Sequence, residues 1–328
     1  MSEEPKQARA LWYVGEGRAE IRSEPAPAPA SGEVRVRALY GALSRGTERL
    51  VFFGRVPESE YARMRAPLMA GAFPFPVKYG YTTVGRVERG PPDLAGRVVF
   101  CLHPHQSVFT VAADAVTPVP DGVPPQRAVL AANMETALNA LWDGAPGPAD
   151  RIGVVGAGVL GALVARLAAR IPGTQVTLID IAPERAELAA RLGVGFALPD
   201  AAPEDCDLVV HASASAAGLA TALRLAGQEA TVLELSWYGA GDVPVALGGA
   251  FHSRRLRLVS SQVGSIAASH RARWTFAARR AAALALLADP ALDALIAPAI
   301  DFSDLPARMP DLFAPTTGVL CQLIRYGE

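Results

Sequence analysis

Apolar and polar residues alternate over positions 33–40, the mark of a strand that buries one face. Residues 84–88, 97–100 and 108–111 repeat the pattern in short runs bounded by Gly or Pro. Strands this short and this closely spaced predict an antiparallel, barrel-like β domain. A stiff Pro-rich stretch at 117–125 leads out of it, and a helical pattern covers 126–142. The period then changes. Apolar runs at 151–155, 175–179, 207–211, 230–235 and 256–260 alternate with helical patterns at 159–170, 182–192 and 216–225. Such alternation predicts a parallel, doubly wound sheet. An Ala/Arg/Leu helix over 268–287, a short helix over 304–312 and a last strand over 318–324 complete the expected order.

Composition narrows the function classes. A chain of 328 residues has room for two cores, and 51% hydrophobic residues give it ample apolar volume to bury. No apolar run is long enough to span a bilayer. Residues 1–7 lack a charged-then-apolar leader, so a cytoplasmic location is expected. Net charge is −1 with both signs interspersed, which predicts neither a nucleic-acid nor an anionic-membrane partner. Cys101, Cys206 and Cys321 are scattered without a CxxC, so neither a disulfide framework nor a structural zinc lobe is expected.

The sharpest motif is Gly156-Ala157-Gly158-Val159-Leu160-Gly161, between the apolar run 152–155 and a helical pattern. In such a turn Gly156 permits the bend, Gly158 lets a pyrophosphate approach the backbone, and Gly161 lets helix and sheet pack closely. The first helical turn, with Val159 and Leu160, offers free N–H groups to phosphate. Asp180 ends the next strand nineteen residues past Gly161, where an acid binds ribose hydroxyls and repels a 2′-phosphate. The cofactor expected is therefore NAD(H). Arg185 leaves alternatives: it meets a phosphate, stacks over adenine, or pairs with Glu184.

With a β domain ahead of this unit, the chain resembles the medium-chain dehydrogenase/reductase family. Residues 43–48 are similar to its Cys-Gly-Thr-Asp segment and residues 80–85 to its Gly-His-Glu-x-x-Gly. Residues 114–122, the helix with Thr136-Ala137, and residues 260–264 follow in the family's order. The resemblance implies a GroES-like β-barrel catalytic domain over 1–132 and 268–328, a Rossmann coenzyme domain over 133–267, and a homodimer. It also implies departures. Arg45 stands at the metal-binding cysteine, Tyr81 at the histidine, and Ala132 or Asn133 at the third ligand. Zinc wants thiolate and imidazole at about 2.0–2.3 Å, so neither catalytic nor structural zinc is expected. His103 and His105 flank a proline and are not expected to hold a metal; a pocket or proton-relay role and simple packing both stay open.

These departures imply a zinc-independent, NAD(H)-dependent oxidoreductase acting on an alcohol or carbonyl. Without a metal, hydrogen-bond donors must stabilise the developing charge. Thr47 aligns with the family's proton-relay residue, although it also reads as a helix cap beside Glu48. Tyr81 is a candidate proton donor or a packed aromatic. Arg45 offers positive charge to an oxyanion, or pairs with Glu48 or Glu135. Glu135 and Thr136 are expected near the nicotinamide, with Glu135 either a base or a counter-charge for Arg45. Because ligands gather at the carboxyl ends of the strands, Ala212 and Ser213 are expected on the adenosine side, and Leu235, Ser236 and Gln262 on the nicotinamide side. Alternative readings are an enone- or quinone-type reductase and a non-catalytic dinucleotide-binding protein. Residues 43–57 are similar to bacteriochlorophyllide dehydrogenases, which implies a tetrapyrrole-like substrate beside the general small-molecule expectation. The insertion 58–75 departs from them and reads as a lid or an apolar pocket wall.

Overall fold

The computed structural model describes residues 6–314 and 318–327. The chain divides into two compact units, one of residues 1–132, 280–288 and 296–328, the other of residues 133–279 and 289–295. Residues 268–279 and 289–295, assigned above to the first domain, cluster with the second.

A seven-stranded, mostly antiparallel sheet dominates the first unit. It runs in the order Ile296–Asp301, Cys321–Arg325, Glu33–Leu43, Thr83–Arg89, Val98–Cys101, Val116–Pro118, with Val108–Ala112 also paired to Glu33–Leu43. The alternation at 33–40 does what it predicts: Val34, Val36 and Ala38 turn inward, and the first two pack against Val87, Val99, Phe109 and Val111. A smaller sheet includes the hairpin Lys6–Gly15 with Arg18–Ala26, which the sequence reading did not identify. Its buried positions include Ala8, Ala10 and Ala26, small residues that leave little β-strand signature in the sequence.

The second unit holds a six-stranded parallel sheet in the order Gly195–Ala197, Gln175–Ile179, Arg151–Val155, Cys206–His211, Ala226–Glu234, Arg257–Ser260. Helices Val159–Ala168, Arg185–Leu192 and Ala216–Leu225 join successive strands. Register sets one row at the carboxyl edge. Ile179 lies opposite Val155, Val155 opposite His211, His211 opposite Glu234, and Glu234 opposite Ser260. Each next residue begins a loop, so Asp180, Gly156, Ala212, Leu235 and Ser261 leave the sheet side by side. This is a GroES-like β domain joined to a Rossmann domain, the architecture expected from the sequence.

Two helix boundaries differ from expectation. The pattern at 126–142 forms two pieces, Pro125–Ala128 and Ala131–Gly144. The helix expected from 268 begins only at Phe276, where the Thr275 hydroxyl accepts the N–H of Ala278. Upstream of it the chain takes turns that stack His270 on Trp142, with Trp274 beside them. Aromatic packing there overrides an Ala/Arg composition that favours helix. Among the described residues no helix is long and apolar enough to cross a membrane.

Candidate functional site

The glycine turn of the second unit follows the edge strand row directly, and its three glycines have different reasons to be there. Gly156 has φ +108°, and a Cβ on it would lie 2.8 Å from the backbone of Ala212 and Ser213. A Cβ on Gly161 would strike the Gly156 carbonyl oxygen at 1.9 Å, so only glycine lets the helix seat on the turn. Gly158 is unlike both. Its φ of −77° suits any residue, it is exposed, and nothing lies within 4 Å of a Cβ placed there. Neither backbone angle nor packing in the fold requires that glycine.

Val159 and Leu160 open the ten-residue helix beside Gly158 and are half-buried. Asp180 is held by two backbone donors, Ala157 N–H at 2.7 Å and Ala182 N–H at 3.0 Å. Its carboxylate is thereby fixed beside the glycine turn with lone pairs remaining for hydroxyl donors. Arg185 starts the helix Arg185–Leu192, half-buried. These donors and this open position fit the phosphates and ribose of a dinucleotide.

The neighbouring loops are cross-tied. His211, fully buried, lies 2.7 Å through Nδ1 from Glu234 and 2.6 Å through Nε2 from the Ser213 hydroxyl. Glu234 also accepts from the Ser236 N–H and the Tyr238 hydroxyl, and Ser236 Oγ accepts from Ala214 N–H. Burial alone raises the Glu234 carboxyl, but the donors His211 and Ser236 outweigh it and hold it below its ordinary value. Sequence reasoning named Ala212, Ser213, Leu235 and Ser236 at these loop origins but assigned nothing to Glu234. The available signal was an acid directly after the apolar pair Val232-Leu233. Gln262 is exposed and accepts the Gly264 N–H.

Glu135 and Thr136 lie on the helix Ala131–Gly144. Thr136 is half-buried, whereas Glu135 is buried and ion-paired with Arg279 at 3.3 Å. That guanidinium also donates to Asn139 and to the Val263 carbonyl. Glu135 is thus held in an internal charge pair.

In the first unit a cluster of hydroxyls forms around Tyr81. Its phenol donates to Ser44 Oγ at 2.5 Å. Burial, reinforced by the charge of Glu48, pushes the phenol up to about 12, while Ser44 and Thr47 pull against that shift. Ser44, unremarked in the sequence, is the N-cap residue of the helix Arg45–Phe52; Thr47 sits inside the first turn, not at the cap. Arg45 is engaged by backbone of its own unit. It donates to the carbonyls of Val319 and Ala314 at 2.6 and 2.9 Å.

Glu48 is buried and fully engaged, accepting from Tyr13 at 2.6 Å, Ser44 N–H at 2.8 Å and His105 Nε2 at 2.9 Å. His103 turns away from His105, stacks on Phe109 at 3.8 Å, and bonds the Pro104 carbonyl. The two imidazoles serve separate packing roles. Rings from the insertion continue toward Tyr81 in a chain, Tyr61 to Phe73 at 5.5 Å, Phe73 to Tyr79 at 5.9 Å and Tyr79 to Tyr81 at 6.1 Å.

Hydroxyls and a guanidinium are not a zinc donor set. The cysteines are buried singly, their thiols pushed up by burial to about 12, 11 and 12 for Cys101, Cys206 and Cys321. Among the described residues no three His, Cys, Asp or Glu side chains converge.

No protein-family model matches the chain. Solved structures match over nearly its whole length. A protein of Sinorhizobium meliloti 1021 described as a zinc-binding dehydrogenase, bound to NADP, aligns with a TM-score of 0.78 at 18% identity, covering 98% of this chain and 99% of that one. A protein of Escherichia coli CFT073 described as a short chain alcohol dehydrogenase, complexed with NADH, gives 0.77 at 16%, covering 97% and 99%. The alcohol dehydrogenase of Thermus sp. ATN1 gives 0.73 at 21%, covering 97% and 100%. At these identities the likeness is one of fold.

Proposed function

We propose that the protein is a zinc-independent oxidoreductase that uses NAD(H) to interconvert an alcohol and a carbonyl compound. The observation that carries the reading is Gly158, a glycine at an exposed position that neither backbone angle nor packing explains. Asp180 beside it favours NAD(H) over NADP(H), because a carboxylate accepts from ribose hydroxyls and repels a phosphate. The dehydrogenases of like fold support the same reading, one bound to NADP and another to NADH.

When bound, the nicotinamide supplies or accepts the hydride; the chain's own residues must hold the substrate oxygen and manage its proton. The Tyr81–Ser44–Thr47 cluster has the chemistry for that. A phenol raised to about 12 remains protonated at neutral pH and is available as a donor, with Ser44 as its immediate hydrogen-bond partner. Tyr81 bonds a hydroxyl, and the nearby His105 imidazole is taken up by Glu48, which favours a metal-free route. The ring chain from Tyr61 to Tyr81 favours a substrate with an apolar or aromatic body, and a tetrapyrrole-like compound belongs in the substrate panel. The chain is also proposed to form a homodimer.

Titration of NADH and NADPH against tryptophan fluorescence tests the coenzyme reading, with NADH expected to bind tighter. A preference for NADPH would overturn the role given to Asp180. Elemental analysis is expected to find well under one zinc per chain, and a tightly held stoichiometric zinc would sink the metal-free route. Tight NADH binding without turnover on alcohols, ketones or enones would favour a non-catalytic dinucleotide-binding protein instead.

A further inference from the structure

The His211–Glu234 pair sits where the sheet ends and the loops begin. Strand register places the two residues opposite each other, one position before Ala212 and Leu235. A carboxylate only accepts, so in the neutral ring Nδ1 carries the proton toward Glu234 and Nε2 accepts from Ser213. Ser213 in turn meets Ser215 at 3.0 Å, and Gly218 brings the helix Ala216–Leu225 down onto all three side chains. A Cβ at Gly218 would lie 2.0 Å from Ser213 Oγ and 2.8 Å from His211 Nε2. The hydroxyl of Ser213 is therefore tucked inward as a tie rather than presented as a nucleophile.

What the ties hold is specific. The backbone of Ala212 and Ser213 is the surface against which Gly156 turns, at 2.8 Å from a hypothetical Cβ. On the other side Glu234 fixes Ser236 through its N–H at 2.7 Å, and Ser236 Oγ returns to Ala214 N–H at 3.0 Å. Three loops of the carboxyl edge thus become one piece. A buried ionisable pair is a poor source of stability compared with apolar packing. Its directional bonds at two loop origins are better suited to fixing geometry.

We infer that His211 and Glu234 are positioning residues of the dinucleotide site, setting the Gly156 turn through Ala212–Ser213 and the 235–238 loop through Ser236. The inference rests on the dinucleotide reading above. It assigns a role in binding the whole dinucleotide, because the ties reach the loops on both the adenosine and the nicotinamide sides. Asp180 is held by the N–H groups of Ala157, in the glycine turn, and of Ala182, whereas only the 235–238 loop depends on Glu234 directly.

The test compares NADH with AMP on the full-length chain. In Glu234→Gln, Oε1 still accepts from Ser236, but the amide nitrogen faces His211 and Tyr238. The NADH Kd is expected to rise about tenfold, the scale typical of losing a supporting hydrogen bond behind a binding group. The AMP Kd is expected to rise clearly less than the NADH Kd, since AMP engages the glycine turn and Asp180 but not the 235–238 loop that Glu234 ties directly. His211→Gln can still donate to Glu234 and accept from Ser213, so its NADH affinity is expected to stay within about threefold of wild type. That variant keeps the test decisive if Glu234→Gln does not fold: a loss as large as that of His211→Ala would count against the hydrogen-bonding role. A lowered Tm with unchanged NADH and AMP affinity in Glu234→Gln would overturn the inference, as would equal losses for both ligands. Failure of the wild type to bind NADH would instead overturn the dinucleotide reading itself.

Discussion

Valine at position 158 is the sharpest change a single residue allows, because nothing in the protein fills the space beyond that Cα. Gly158→Val is expected to leave the Tm nearly unchanged and to raise the NADH Kd about a hundredfold, a loss of roughly 2.7 kcal/mol. Gly156→Ala should behave differently. A side chain at φ +108° is strained and meets backbone at 2.8 Å, so stability should fall along with binding. Thermal melts beside fluorescence titrations separate the two cases. Tyr81→Phe removes the proposed donor while keeping the ring, and is expected to lower kcat about a hundredfold with NADH affinity intact. An unchanged kcat would assign the proton to another group. The sequence made Tyr81 and Thr47 visible through their place in a motif, but not Ser44. A serine before a helix reads as a cap, and here its hydroxyl faces a tyrosine distant in the chain.

At the scale of elements, the strand Val108–Ala112 carries a pH-sensitive contact with His103, for which the sequence left a pocket or proton-relay role and simple packing both open. Burial drives His103 down to about 3, and its ring stacks on Phe109 at 3.8 Å. The folded protein therefore binds the proton less well than the unfolded chain, whose ordinary value is 6.5. The contribution of neutral His103 is fully present above about 6.5, and is lost progressively as pH falls toward about 3. Chemical denaturation should show a pH-dependent loss of about 2 kcal/mol from this residue between pH 7 and pH 5, at 1.36 kcal/mol per unit below 6.5. A His103→Phe variant should lack that component; an equal slope in the variant would reject it. The parallel sheet was legible because its central strands, Arg151–Val155 and Cys206–His211, are buried on both faces and read as largely apolar runs. The first hairpin was not, because its buried face is built largely from alanine. Helix starts depended on partners far along the chain, as the stacking of Trp142 on His270 shows. The His211–Glu234 tie was hidden for a related reason: only strand register brings together two residues that look unremarkable in their own segments.

For the whole molecule, the open question in assembly concerns the Arg257–Ser260 edge of the parallel sheet. This strand pairs with Ala226–Glu234 on one side and has no strand on the other among the described residues. All its residues are exposed, including Leu258 at 38% and Val259 at 39%, which point to opposite faces. An unprotected edge with apolar residues on both faces favours pairing with another chain. A second copy related by a two-fold axis would extend the sheet and bring each residue near its own counterpart or close neighbours. That symmetry makes charge a sensitive probe, since every lysine introduced appears twice across the same interface. Sedimentation is expected to show a dimer for the wild type and a monomer for Leu258→Lys/Val259→Lys, with NADH affinity retained. The double variant leaves the glycine turn and Asp180 untouched, so a loss of NADH binding along with the dimer would mean that the edge also shapes the site. A wild type that remains monomeric at high concentration, or a dimer indifferent to both lysines, would remove this edge as the interface.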